Sequence, residues 1–369
     1  MATHAPVPAT IDAITPGWLT DVLPEEFRAG CTITRFDAKV LSEGIGFVGD
    51  VARLKLTYDQ PADDARTTVI AKVPTANEGF RRLGQAFGFF QKEIGFYREV
   101  APTLDLSIPR ALYLGDEPEA GNYILLLEDL DPMRPGDQLA SCSLEEAEMA
   151  LREAARLHAF WWEHPRLPEF SSWLPGVGDP YFGLLEQGYQ DALPHFAQNF
   201  GHLVDDRIVE LAEDFGGRYH EAVQAGPARG SQTFIHGDFR LDNMMFGDGA
   251  ETPRLVVLDW QLPFRANGLW DVVYFLGGNF PPEWRREHEE HLLRVYHDAL
   301  VENGLSAYSF DRCVDDYRAC GLVLVGYLVT GAKDIDPSSF NDRGQTLFET
   351  MFNRYSTAIM DLESWRYLP

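Results

Sequence analysis

The chain has 369 residues, of which 45% are hydrophobic, and its 31 Lys and Arg against 57 Asp and Glu give a formal net charge of −26. A chain of this length exceeds the usual size of a single hydrophobic core, so more than one domain is expected. The strong negative charge disfavours nucleic acids and anionic membrane surfaces as partners, because both repel an acidic protein.

The first motif is a glycine-rich segment, 44–51, which reads Gly-Ile-Gly-Phe-Val-Gly-Asp-Val. It fits the G-x-G-x-x-G-x-V pattern of a loop that covers nucleotide phosphates. Gly44, Gly46 and Gly49 would let backbone N–H groups approach the phosphates closely. In dinucleotide-binding folds the same glycine spacing opens a helix. Here the alternation of apolar and polar residues over 51–58 predicts a strand instead, and the P-loop sequence G-x-x-x-x-G-K-[ST] does not occur.

A lysine and a glutamate form the second candidate feature. The segment 69–73, Val-Ile-Ala-Lys-Val, predicts a strand that carries Lys72, and 80–101 predicts a helix. At 100° per residue, Glu93 falls in the middle of the apolar stripe of that helix. A carboxylate there is costly unless a cation pairs with it. A lone strand lysine would more simply extend to solvent. Because Glu93 needs a cation, however, Lys72 is its expected partner. In kinases such a glutamate positions the lysine that binds the nucleotide phosphates.

The character of the chain changes near residue 129. Before this point strands predominate, apart from predicted helices over 16–23 and 80–101. The segment 122–130 predicts a buried strand that runs into a polar turn, and the remainder is mostly helical. The later predicted helices are 144–163, further segments between 180 and 225, then 287–303, 311–330 and 345–364. We therefore predict an α+β chain with domains 1–128 and 129–369.

The richest motif is His-Gly-Asp-Phe-Arg-Leu-Asp-Asn at 236–243, followed by Leu-Asp-Trp at 258–260. Asp238 and Asn243, with Asp259 at the end of an apolar strand, form the arrangement that phosphoryl transfer needs. One carboxylate accepts the proton of the acceptor hydroxyl, while the amide and the second carboxylate hold Mg²⁺ against the nucleotide phosphates. Either fragment alone could be a turn or a helix cap. Both together, in this order and between short strands, predict kinase chemistry.

The motifs between residues 43 and 276 resemble the aminoglycoside phosphotransferase and choline kinase-like superfamily. Within it, Leu-Asp-Trp-Gln at 258–261 and Asp-Val-Val-Tyr-Phe-Leu at 271–276 most resemble the ecdysteroid kinase-like branch. The resemblance implies a bilobal protein-kinase-like fold, with a small β-rich N-lobe over 1–128 and a larger, mostly helical C-lobe over 129–369.

The resemblance also implies roles for single residues. Asp238 would be the catalytic base, and Asn243 and Asp259 would bind Mg²⁺. Main-chain groups from Glu128 to Leu130 would bond the adenine of ATP at the hinge between the lobes.

Four further polar residues lie in or near the catalytic motif. Arg240 could neutralise charge on the transferred phosphoryl group, or it could bridge to Asp242 or solvent. The resemblance implies that Asp271 braces the catalytic loop and does not touch the substrate, although it could instead stabilise the N-terminus of its own helix. His236 is expected to shape the loop by hydrogen bonding, and Asp242 is not expected to bind the metal.

The four cysteines, Cys31, Cys142, Cys313 and Cys320, contain no C-x-x-C pair, so neither a zinc signature nor a disulfide framework is indicated. Reduced thiols fit a cytoplasmic protein. The N-terminus lacks a basic start followed by an apolar run, so no signal peptide is expected. The longest apolar stretch, 321–332, is too short to span a bilayer.

We therefore expect an ATP- and Mg²⁺-dependent phosphotransferase that acts on a hydroxyl of a small molecule. A protein kinase is disfavoured because no Ala-Pro-Glu segment follows Asp259. A nucleotide-binding pseudokinase with a regulatory role is the alternative, but Lys72, Asp238, Asn243 and Asp259 are all present. The acceptor stays open: aromatic residues over 161–189 favour an apolar, hydroxysteroid-like compound, whereas the acidic balance favours an aminoglycoside- or choline-like amine. The choice between ATP and GTP and the oligomeric state are also open.

Overall fold

The structure is a computed structural model that describes residues 6–41, 49–60, 64–332 and 342–369, the side chains of 342–345 excepted. The chain divides into two compact units. The first comprises Met1–Thr103, Ser107–Met133 and Val256–Gln261, and the second comprises Leu104–Leu106, Arg134–Leu255 and Leu262–Pro369. The first unit is rich in strands and the second in helices, as expected for the α+β fold.

The first unit contains a five-stranded sheet of order β1-β2-β3-β5-β4, in which all neighbouring strands are antiparallel. The strands are β1 (Ile33–Val40), β2 (Gly49–Tyr58), β3 (Thr68–Pro74), β4 (Ala111–Glu117) and β5 (Asn122–Glu128). The predicted strands at 51–58, 69–73 and 122–130 are therefore confirmed, the last of them ending at Glu128.

One face of this sheet carries the apolar core of the first unit. Along β2, Leu54 and Leu56 are buried and Lys55 between them is exposed, as the two-residue period of a strand requires. The helix α1 (Pro16–Val22) contributes Leu19 to the same buried cluster. The side chain of the preceding threonine accepts a hydrogen bond from the first turn and fixes where the helix begins.

The prediction of one helix over 80–101 is wrong, because the segment is interrupted. It contains α2 (Glu78–Ala86), α3 (Phe89–Gly95), a π-helical turn (Phe96–Val100) and a 3₁₀ turn (Ala101–Thr103). Gly88, between α2 and α3, has a φ of +64°, a left-handed conformation that glycine adopts without steric cost. Apolar residues continue on both sides of this break, so periodicity alone does not reveal it. Glu93 nevertheless lies on α3 and is buried.

The second unit consists mainly of helices. They are α4 (Leu144–Trp161), α5 (Pro180–Asn199), α6 (Asp206–Gly217), α7 (Tyr219–Ala225), α8 (Leu269–Asn279), α9 (Pro282–Glu302), α10 (Phe310–Cys320), α11 (Leu322–Gly331) and α12 (Asp342–Leu362). A capping box between Ser143 and Glu146 starts α4. None of the helices in the described residues is both long enough and apolar enough to cross a membrane.

The single helix predicted over 311–330 is also corrected, because α10 and α11 meet at Gly321. A side chain there would collide with Ser364, whose Oγ lies 2.1 Å from the position that a Cβ would take. The contact comes from a residue far along the chain, so the local pattern could not show it.

Short strands frame the segment 236–243. β7 (Thr233–Ile235) pairs antiparallel with β10 (Phe264–Ala266), and β8 (Met244–Phe246) pairs antiparallel with β6 (Arg134–Pro135). The segment thus leaves β7 and enters β8, while β9 (Leu255–Val257) ends two residues before Asp259.

Candidate active site

The loop at 236–243 turns sharply at Gly237. This residue has a φ of +80°, and a Cβ there would lie 2.1 Å from the backbone oxygen of Leu262. Both the dihedral angle and the close approach require glycine. The turn presents Asp238 immediately afterwards.

Three donors hold the Asp238 carboxylate. The hydroxyl of Tyr274 donates to Oδ1 at 2.9 Å. The amide of Asn243 donates to Oδ2 at 2.9 Å, and Nε of Arg240 donates to the same oxygen at 3.2 Å. Three hydrogen bonds fix the orientation of this carboxylate, which a base needs in order to meet the proton that it removes.

Asn243 is buried and lies in the 3₁₀ turn that ends the loop. Its amide nitrogen also donates to the backbone oxygen of Asp238 at 2.9 Å. Because the nitrogen makes these bonds, the amide oxygen is the atom through which Asn243 could bind a metal. Asp242, next to it, accepts a hydrogen bond from the backbone N–H of Gln138 at 2.8 Å. One of its carboxylate oxygens is therefore already bound to another segment of the protein.

Arg240 lies between two carboxylates, with Nη1 3.6 Å from Asp242 as well as the contact to Asp238. Asp238 raises the pKa of the guanidinium, against the opposing effect of burial. The ion pair between Arg240 and Asp242, one of the alternatives considered from the sequence, is therefore present. In this position the guanidinium also lies beside the candidate base. A role for Arg240 towards the phosphoryl group stays a prediction.

Asp271 braces the loop from α8. Its Oδ2 accepts a hydrogen bond from the backbone N–H of His236 at 2.7 Å, and its Oδ1 accepts one from Gly237 at 2.9 Å. The ring of His158 lies 3.2 Å from Oδ2 and, through its other nitrogen, 2.9 Å from the hydroxyl of Tyr296. Of the two interpretations of Asp271, the loop brace is the one that the hydrogen bonds show.

Replacing Asp271 with asparagine should destabilise the protein by about 1–3 kcal/mol. Asparagine has only one oxygen that accepts hydrogen bonds, so one of the two buried backbone N–H groups loses its acceptor. Urea unfolding measures this change. Asp298 in α9 is mostly exposed, so Asp298→Asn is the matched control and should change stability by less than about 0.5 kcal/mol. Equal effects of the two substitutions would contradict the bracing role.

In the first unit, Lys72 pairs with two carboxylates. Its Nζ lies 2.9 Å from Oε1 of Glu93, 2.8 Å from Oε2, and 2.9 Å from Oδ1 of Asp259. The side chain of Glu93 is 1% exposed, whereas that of Asp259 is 40% exposed. Burial alone would lower the pKa of Lys72, but Asp259 and Glu93 outweigh it and raise that pKa. Burial raises the pKa of Glu93 to about 7, although Lys72 opposes this shift.

The backbone of Asp259 is left-handed, with a φ of +60°. This conformation is uncommon outside glycine, but aspartate tolerates it better than most residues. Trp260 anchors the turn, because its buried ring stacks on Phe96 with centroids 3.9 Å apart. Held in this way, Asp259 keeps a partly exposed carboxylate beside Lys72, and strained backbone of this kind often marks a functional site.

The remaining candidates lie elsewhere. Gly44 and Gly46 fall outside the described residues, and Gly49 begins β2. At Glu128 the backbone N–H donates to the oxygen of Arg110 at 2.9 Å, and the oxygen of Leu130 accepts from Met133 at 2.8 Å. These two main-chain groups already have partners, so adenine would have to use other main-chain groups of this turn.

Sequence reasoning gave no role to Tyr274, Gln138 or Arg354. Tyr274 follows Asp271 by three residues on α8, so both side chains lie on the same helix face, and this spacing could have identified it. Gln138 accepts a hydrogen bond from Arg240 at 3.2 Å, and Arg354 donates to the backbone oxygen of Gln138 at 2.7 Å. No local pattern points to contacts over more than 100 residues.

The chain is similar to known proteins in sequence and in fold. Residues 43–307 match the ecdysteroid kinase-like family. No curated protein matches the sequence significantly.

Solved structures show a similar fold at low sequence identity. Choline kinase from Cryptosporidium parvum superposes with a TM-score of 0.58 at 13% identity, over 96% of this chain and 94% of that one. Plasmodium vivax ethanolamine kinase gives 0.54 at 10% identity, over 88% and 82%. An aminoglycoside 2'-phosphotransferase in complex with GDP gives 0.52 at 14% identity, over 89% and 94%.

Proposed function

We propose that this chain, which belongs to the ecdysteroid kinase-like family, transfers the γ-phosphoryl group of Mg²⁺-bound ATP to a hydroxyl of a small organic molecule. The family consists of small-molecule kinases, and the structural neighbours share its fold. The observation that carries the proposal is the Asp238 carboxylate, which Tyr274, Asn243 and Arg240 hold in one orientation in a loop that Asp271 braces.

In the proposed reaction Asp238 orients the acceptor hydroxyl and takes its proton. The acceptor oxygen bonds to the γ-phosphorus, and the bond from that phosphorus to the bridging oxygen breaks, which releases the nucleoside diphosphate. Lys72, positioned by Glu93, would bind the nucleotide phosphates. Because the transition state is loose, alignment and charge neutralisation supply most of the acceleration.

Each of the two proposed metal ligands carries a donor atom of the kind that Mg²⁺ prefers. Asn243 offers an amide oxygen and Asp259 a carboxylate, and Mg²⁺ prefers oxygen ligands of this kind, completing its shell with phosphates and water. When bound, the ion would neutralise charge on the phosphates. The GDP complex of one structural neighbour supports a nucleotide co-substrate, and we propose ATP for this chain.

A thermal-shift experiment with Mg²⁺-ATP, Mg²⁺-GTP and a panel of hydroxylated metabolites tests the proposal. A ligand that binds the folded state raises the melting temperature. We expect a shift with Mg²⁺-nucleotide and a further shift with an acceptor. A protein that no nucleotide stabilises, with or without Mg²⁺, would not have this function.

Asp259→Asn should weaken binding of the Mg²⁺-nucleotide, because a neutral amide is a poorer ligand for a hard cation than a carboxylate. We expect the Mg²⁺ concentration that gives half-maximal activity at fixed ATP to rise by at least roughly 10–100-fold. Loss of a residue that only supports a metal ligand typically has an effect of this size. Titration of Mg²⁺ measures it, with Asp298→Asn as the control. An unchanged Mg²⁺ requirement would remove Asp259 from the metal site.

A further inference from the structure

Next to the catalytic loop, the second unit contains a cavity of about 200 Å³. Helices α5, α6, α7 and α11 contribute most of its walls, together with β10 and the start of α8. The aromatic lining includes Tyr189, Phe215, Tyr219, Phe264 and Trp270. Among the described residues that line the cavity, none carries a charged side chain.

Three hydroxyl groups of the lining bond to the protein itself. The hydroxyl of Tyr189 donates to the backbone oxygen of Ala212 at 2.8 Å, and that of Thr330 donates to Gly326 at 2.7 Å. The hydroxyl of Tyr327 donates to the backbone oxygen of Gly237 at 2.8 Å. These donors are committed to the fold, so the surface that they leave for a ligand is largely apolar.

The rings do not form an open cage for a cation. Tyr189, Phe215 and Tyr219 pack on one another, with centroids 5.2 to 5.7 Å apart and interplanar angles of 45° to 86°. Phe264 and Trp270 meet edge to face at 4.6 Å. The edges of neighbouring rings partly cover the faces of these rings. An ammonium group binds over an open ring face, so these rings are poorly placed to bind one.

Two residues of its lining place the cavity beside the loop that carries the candidate base. Gly237, which lines it, directly precedes Asp238. Tyr327, which also lines it, stacks on Tyr274 with centroids 4.2 Å apart, and Tyr274 donates to Asp238. An occupant of the cavity therefore lies beside the loop that carries the base.

We propose that the acceptor is a neutral, apolar alcohol whose body, about the size of one substituted six-membered ring, occupies this cavity. The inference rests on the proposed phosphotransferase function. An apolar cavity of roughly 150 Å³ holds benzene, so one of about 200 Å³ holds a ring with a few further carbons. A buried cation without a carboxylate partner would be strongly disfavoured.

The reaction would join the alcohol oxygen to the γ-phosphorus and break the bond to the bridging oxygen of ATP. The hydroxyl proton goes to Asp238, and the products are the phosphate monoester and ADP. The net negative charge of the chain would favour an amine at long range. The described residues that line the cavity carry no negative charge that would do the same.

Matched alcohols that differ in charge test the proposal. One pair is 2-phenylethanol and N-(2-hydroxyethyl)pyridinium, and the other is 3,3-dimethylbutan-1-ol and choline. With Mg²⁺-ATP or Mg²⁺-GTP, we expect kcat/KM for each neutral member to exceed that of its cationic partner by at least about tenfold. Equal or better use of the cations would overturn the inference while leaving the proposed function intact.

A cavity-filling variant gives a second readout. Gly326 lines the cavity from α11, and a Cβ there meets nothing within 4 Å, so Gly326→Leu places a side chain in open space. We expect calorimetric binding of 2-phenylethanol to weaken at least about tenfold, because the side chain takes its volume. Gly183→Leu, on α5, exposed and equally free of contacts, is the matched control and should bind 2-phenylethanol as the wild type does.

The outcomes separate the two proposals. If Gly326→Leu binds 2-phenylethanol as well as the control does, or if the wild type binds neither neutral alcohol, the cavity is not the acceptor site. If the wild type binds no Mg²⁺-nucleotide and turns none over, the phosphotransferase function fails, and the inference fails with it.

Discussion

Replacing Asp238 with alanine is expected to remove most phosphoryl transfer while leaving nucleotide affinity nearly unchanged. The carboxylate would meet the acceptor hydroxyl, not ATP, so its loss affects the chemical step. Loss of general-base help alone should lower the rate by about 10² to 10⁴. Turnover under saturating acceptor, together with a nucleotide titration by calorimetry, separates the two quantities.

Tyr274→Phe is the informative companion to this substitution. It removes the hydroxyl that donates to Oδ1 but leaves the ring stacked on Tyr327 and the carboxylate in place. A smaller loss of turnover than in Asp238→Ala is expected, since Asn243 and Arg240 still hold Oδ2. Comparable turnover in Asp238→Ala and the wild type would remove Asp238 from the mechanism.

The second large effect is expected for Lys72 and Glu93. Breaking a buried ion pair leaves an uncompensated charge and typically costs about 3–5 kcal/mol, whereas removing both charges restores part of the stability. Lys72→Met should cost more than Glu93→Gln, because Lys72 still pairs with Asp259 when Glu93 is neutral. Without Lys72, the buried Glu93 instead faces the negative charge of Asp259.

A double-mutant cycle in urea unfolding and in the apparent KM for ATP measures this coupling. In activity, the double variant should be little worse than the worse single variant, because residues that act as one unit are non-additive. The exposed pair Arg98 and Asp116, in the same unit, is the control and should couple by only about 0.2–1 kcal/mol. Additive losses for Lys72 and Glu93 in both measurements would mean that the pair does not act together.

The sequence predicted the parts of the fold that depend on local pattern. Alternation located β2, and the mostly apolar segment 69–73 indicated β3. The apolar stripe around Glu93 indicated that a cation must approach it, as Lys72 does. That prediction holds although the helix boundaries were wrong, because Glu93 and the apolar Phe89 and Phe90 of its stripe lie together in α3 and are buried.

The errors occurred where a single backbone conformation or a distant contact decides the structure. Gly88 interrupts a helix whose apolar residues continue on both sides. Gly321 separates α10 from α11 because Ser364 packs against it. The sequence predicted one domain boundary near residue 129. One boundary could not show that Val256–Gln261, which carries Asp259, clusters with the first compact unit.

Part of the candidate site was likewise beyond the reach of local pattern. The loop 236–243 and Asp259 could be proposed as site residues from the sequence, because their residue types and spacing match a pattern used in phosphoryl transfer. The brace from Asp271 was one of two open interpretations, and only the hydrogen bonds to His236 and Gly237 decide between them. The contacts of Gln138 and Arg354 depend entirely on tertiary structure.

The central claim is that the chain turns over a nucleotide and does not merely bind it. Release of phosphate from γ-labelled ATP without an acceptor tests this most directly, because water can replace the acceptor slowly at such a site. The account predicts slow hydrolysis by the wild type that stops when EDTA removes Mg²⁺ and is largely lost in Asp238→Ala. Tight Mg²⁺-nucleotide binding with no hydrolysis and no transfer to any alcohol would contradict it and identify a nucleotide-binding regulatory protein instead.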